Sequence, residues 1–133
     1  MAIVMTAVGL QYCIELERTG GLNNCLYHLY TNDYVPAVGS ALNNFTECND
    51  AGYTMWGPNF APSVINAAQQ GEIDGPAKTF TFAFDKGGFT VYGYYVTNSQ
   101  NVVIYAERAP APFTVTAAGQ TYTVVPKKLL GTM

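Results

Sequence analysis

Charge is what this chain has least of. Only 11% of its 133 residues are charged, against about 25% in an ordinary soluble domain. Six basic residues stand against nine acidic ones, a net charge of −3. That leaves no basic stripe for a phosphate backbone, so no nucleic-acid partner is expected. No apolar run reaches the ~18–20 residues that a membrane-spanning helix needs, so no membrane partner is expected either. The first ten residues, Met1 to Leu10, are apolar, yet the first basic residue is Arg18. They therefore lack the positive flank of a secretory leader and read as an arm or the start of a helix.

Chemistry-bearing residues are equally scarce. His28 is the only histidine, and the three cysteines are Cys13, Cys25 and Cys48. Three thiols cannot all pair within one chain, and small secreted scaffolds carry dense, even sets; buried reduced thiols are the expectation. A metal site from Cys13, Cys25, His28 and Cys48 has a tolerable Cys25-x-x-His28 spacing, but no second close ligand pair follows. Asp33, Glu47, Asn49 and Asp50 are loop oxygens suited to calcium, but their spacing matches no calcium loop. There is no phosphate-binding glycine motif and no HExxH. A hydrolytic triad would need a nucleophile and an orienting acid around His28, which sits mid-strand among apolar neighbours and reads as a satisfied core or interface histidine. No catalytic residue, cofactor or metal is therefore expected, and the chain reads as a non-enzyme.

What is present is apolar and aromatic: 49% hydrophobic residues, 14% aromatics and ten tyrosines. Folding a chain of this size hides roughly two-thirds of its unfolded surface, enough for a core without disulfides or metal. Leu10 to Arg18 has helical spacing with a Gly20-Gly21 stop. From Asn24 onward the period is two. Cys25–Thr31 is a strand with two apolar faces. Thr79–Phe84 alternates phenylalanine with threonine and alanine. Asp85-Lys-Gly-Gly88 is a turn, Phe89–Thr97 the next strand, and Gly93 within it marks a bulge or a close backbone approach. Val102–Arg108 returns. Ala109-Pro-Ala-Pro112 breaks the ladder, since proline has no N–H to donate. Phe113–Thr116, Gln120–Val125, Tyr53–Trp56 and a segment near Val64 complete seven or eight strands. The fold class expected is all-β, an antiparallel β-sandwich of jelly-roll or Greek-key kind, with a short N-terminal arm or helix. Residues 1–22 form the arm and 23–133 the domain.

The tyrosines admit two readings. Tyr92, Tyr94 and their neighbours suit a carbohydrate-stacking platform, or Thr90, Tyr92, Tyr94 and Val96 simply line one face of a sheet. The charge deficit points elsewhere, because interface cores are poor in charge and rich in aromatics. Much of the surface is expected to be covered by other subunits, with Ile3, Val4, Met5, Tyr92 and Tyr94 as candidate interface residues.

An ordered set of segments adds a resemblance. Leu29-Tyr-Thr-Asn-Asp33 with Pro36, Phe45-Thr-Glu47, Gly52-Tyr53, Thr79-Phe-Thr-Phe82, Val91-Tyr-Gly-Tyr-Tyr-Val-Thr97, Tyr105-Ala-Glu-Arg108 and Val124-Val-Pro126 follow in that order. This pattern resembles small β-rich proteins encoded among the virion structural genes of tailed bacteriophages and prophages. The match spans about residues 26 to 126, and VYGYYVT and AER are its most specific parts. Tyr30, Cys48 and Tyr105 stand where those proteins usually carry phenylalanine, alanine and tryptophan, and the first 22 residues have no counterpart. The resemblance implies a non-enzymatic virion component, assembled in the host cytoplasm. It implies structural roles for the motif residues: Asn32 and Asp33 at a strand end or turn, Glu47 and Arg108 as an ion pair. A capsid decoration (cement) protein is the leading expectation, with the major capsid protein or other virion proteins as partners and a homotrimer favoured by local threefold positions. A tail or neck component is the alternative, and a carbohydrate-binding module the second.

Overall fold

The computed structural model describes Glu15, Arg18 and residues 24–60, 62, 64–68 and 71–130. They form eight strands: β1 Leu26–Tyr30, β2 Val64–Ile65, β3 Gly71–Asp74, β4 Lys78–Thr81, β5 Phe89–Thr97, β6 Val103–Val115, β7 Thr121–Val124 and β8 Lys127–Leu130. Every pairing is antiparallel, so the chain is all-β as its period of two predicts. One turn of 3-10 helix, Leu42–Asn44, interrupts the strands. Glu15 and Arg18 have helical backbone and pair at 2.8 Å; the rest of the helix expected over 10–18 lies outside the described residues. No helix among the described residues is long and apolar enough to cross a membrane.

The chain divides into two compact units. One comprises Met1–Asn24, Pro58–Ala77 and Val125–Met133, and the other Cys25–Gly57 and Lys78–Val124. In the first, β3 lies between β2 and β8. Ile73 at the centre of β3 is fully buried, and Gly75 N–H donates to the Pro126 carbonyl at 2.9 Å beyond the β3–β8 ladder. Arg18 Nη1 also reaches the Phe60 carbonyl at 3.5 Å.

The second unit carries the motif segments. Its main sheet has the order β1-β5-β6, with β4 and β7 as a separate pair. The side of β1 away from β5 is taken by short bridges, Tyr27 to Trp56 and Tyr30 to Glu47. Tyr27, His28, Leu29 and Tyr30 are all buried, as the apolar character of both faces implies: Tyr27 packs on Trp56 and Tyr94, and on the other face His28 packs on Tyr95 and Tyr30 on Phe45. Aromatic rings fill the interior. Phe45 meets Tyr30 at 5.1 Å, Tyr34 at 5.2 Å and Tyr95 at 4.6 Å. Such pairs contribute about 0.5–1.5 kcal/mol each beyond the area they bury.

Two irregularities shape this unit. The prolines of Ala109–Pro112 do not end a strand, contrary to expectation; β6 runs on through them. Between the pairs Gly93↔Arg108 and Val91↔Phe113, β5 spans two positions and β6 five. The three extra residues bulge out opposite Tyr92, where no ladder donor is required and proline is tolerated. Gly93 is the close approach that its place in the strand suggests: a Cβ there would lie 2.2 Å from the Glu107 carbonyl oxygen. The second irregularity follows β4, which ends at Thr81 rather than Phe84. Phe84 takes φ 58°, a left-handed conformation that a bulky side chain adopts only under constraint. The constraint is Asp50, which is 3% exposed. Its Oδ1 accepts from Phe84 N–H and its Oδ2 from Ala83 and Gly52 N–H, all at 2.8 Å.

Candidate functional site

The second unit concentrates its polar chemistry around His28. The β1–β5 register sets His28 opposite Tyr95, and the two rings stack at 4.6 Å with 8° between their planes. Both imidazole nitrogens are engaged. Nδ1 lies 2.6 Å from Glu47 Oε2 and Nε2 lies 2.8 Å from Thr97 Oγ1. Tyr53 OH donates to the same Glu47 oxygen at 2.7 Å and accepts from Leu29 N–H at 3.2 Å. An ionised carboxylate only accepts, so the proton it receives from the imidazole sits on Nδ1. Nε2 shares its hydrogen bond with the Thr97 hydroxyl. Burial pushes the Tyr53 phenol well above its ordinary value, and the Glu47 carboxylate adds to the shift.

Local pairing places Glu47 here. Thr31 N–H donates to the Thr46 carbonyl and Cys48 N–H to the Leu29 carbonyl, both at 2.9 Å. The Asn32 amide clamps the same segment, donating to the Asn44 carbonyl and accepting from Thr46 N–H at 2.8 Å each. Residues 46–48 thus lie along β1, with Glu47 beside His28.

Hydroxyl, imidazole and carboxylate stand in the order of a hydrolytic triad. The arrangement does not offer a nucleophile to a substrate, because Thr97 is 1% exposed and His28 6%. It ties β1, β5, the 46–48 segment and Tyr53 together. His28 is a buried histidine with both nitrogens satisfied.

The expected Glu47–Arg108 pair is not formed. Glu47 serves His28 and Tyr53, while Arg108 Nη1 pairs with Asp33 Oδ1 at 2.6 Å and donates to the Tyr34 carbonyl at 3.2 Å. The reason is sheet geometry. Glu47 bridges at Tyr30 on the outer side of β1, and Arg108 lies on β6, two strands away. The loop oxygens considered for calcium are dispersed likewise: Asp33 to Arg108, Glu47 to His28, Asp50 to three amides. Cys25 and Cys48 are buried, and Cys13 lies outside the described residues. Among the described residues no cluster of three His, Cys, Asp or Glu side chains could hold a metal ion.

Of the candidate interface residues, Ile3, Val4 and Met5 lie outside the described residues. Tyr92 packs on the Tyr30–Phe45–Tyr95 cluster, with the Arg108 guanidinium 5.1 Å over its ring. Tyr94 stacks on Tyr27 at 5.3 Å and donates to Glu107 at 2.9 Å. The register shift between Val91 and Gly93 falls at Tyr92, and the two tyrosines pack against different rings rather than forming a common platform. Tyr27 also meets Trp56 at 5.7 Å and shares a short hydrogen bond with the Tyr105 hydroxyl. The polar atoms that would greet a sugar are spent on each other.

The sequence reading missed the binding role of Tyr53 and Thr97, since neither a lone tyrosine nor a strand-end threonine carries a local signal. No known protein family, no curated protein and no solved structure matches the chain.

Proposed function

We propose that the chain is a non-enzymatic structural component of a tailed-phage virion, a decoration protein seated on the capsid. It acts mechanically, bridging neighbouring shell subunits and resisting the pressure that separates them. One observation carries this reading. The second unit has eight charged residues, and each is bound within it. Asp33 pairs with Arg108, Asp85 with Lys86, Glu47 meets His28, Asp50 holds three amides, Glu107 accepts from Tyr94, and Lys78 lies over the Phe80 ring. Few charges are left to keep the surface apart from other proteins, while Val35, Val38, Leu42, Val102 and Ile104 stand exposed. Depleted free charge with exposed aliphatic residues is the character of a surface meant for protein neighbours. The ordered motif segments support the virion assignment.

Copy number in purified virions tests it. A decoration protein is present in near-stoichiometric ratio to the major capsid protein and binds isolated expanded heads. A few to some tens of copies would place it in the tail or neck instead. Absence from particles would refute the proposal.

A further inference from the structure

We draw no further inference here: the strongest candidate, the groove that residues 36–38 and Ser40 form with Val103–Ala106 at the outer edge of β6 in the second unit, mixes polar with apolar side chains and holds no charged one, and nothing in the structure shows what covers it.

Discussion

Replacing Asp50 tests the account of how the second unit holds its shape. This carboxylate is 3% exposed and accepts three amide hydrogens at 2.8 Å. Hydrogen bonds to an ionised group contribute about 1.5–3 kcal/mol each, an upper range of about 5–9 kcal/mol for three. Gly52 and Ala83 are exposed, so water replaces part of what those two amides lose. Asp50→Ala should therefore cost about 3–5 kcal/mol, a large fraction of a domain's total stability. Relief of the left-handed backbone at Phe84, which the same carboxylate holds, offsets about 1 kcal/mol of the loss. Asp50→Asn keeps one carbonyl oxygen and turns an NH₂ group toward an N–H on the other side, so its cost should fall between zero and that of alanine, at about 2 kcal/mol. The control is Asp85→Ala. Its Oδ1 accepts one amide hydrogen, from exposed Ala51 at 2.9 Å, and its loss should cost under about 1 kcal/mol. Urea unfolding followed by far-UV circular dichroism gives all three. The reasoning fails if Asp50→Ala lies within about 1 kcal/mol of the parent or if the asparagine variant is the worse of the two.

Further outcomes follow from the same contacts. Glu47→Gln and Arg108→Met should each destabilise, and together they should add to within about 0.5 kcal/mol, because the two side chains serve different partners; a large coupling energy in the denaturation cycle would mean they touch. Gly93→Ala should lower the melting temperature more than any other single methyl addition in β5, since its Cβ would lie 2.2 Å from a backbone oxygen; an unchanged melt would refute the close approach. Burial, aided by Glu47, pushes the Tyr95 phenol up to about 12. A group whose folded value is raised stabilises fully below its unfolded value, here ~10, and that stability is lost as pH rises from there through about 12. Urea midpoints at pH 8, 10 and 11.5 should therefore fall only over the last interval, together with a delayed rise in tyrosinate absorbance at 295 nm; titration of all the tyrosines near pH 10 in the folded protein would contradict the buried placement.

The parts of this structure that could be read from sequence are those where a local pattern decides. Phe89–Thr97 is rich in β-branched and aromatic residues and is β5 to the residue. Gly93 had to be special, because a glycine amid β-branched and aromatic residues has no packing reason to be there. Asp85-Lys-Gly-Gly88 had to turn, and Gly87 at φ 84° supplies the turn. The continuity of β6 through two prolines could not be read locally. It depends on a bulge whose room is made by the partner strand. β3 and β8 escaped because Gly71-Glu-Ile-Asp74 and Lys127–Leu130 are too short to show a period. The prolines near unit boundaries, Pro58, Pro76 and Pro126, mark where the chain passes between units, but proline marks turns equally well. The His28 network was half legible. One histidine in an apolar strand must satisfy its nitrogens, yet its partners lie 19 and 69 residues away, a separation no motif encodes.

The choice of interface residues shows where composition misleads. Tyr92 and Tyr94 were natural candidates because aromatic rings are enriched at protein contacts. That enrichment is measured against surfaces where charge is the common alternative. In a chain with more aromatic than charged residues, rings are the ordinary material of the interior, and their number carries no news about contacts. Tyr27, Tyr30, Phe45 and Tyr95 are buried within the second unit, and Tyr92 and Tyr94 pack against them. The informative residues are the aliphatic ones that the interior had no place for. Val35, Val38, Val102 and Ile104 carry no hydrogen-bonding side chain and line no core, yet they stand exposed. A folded chain gains nothing by leaving such side chains in water, so exposed aliphatic residues, and not the tyrosine count, are what set this surface apart from the interior.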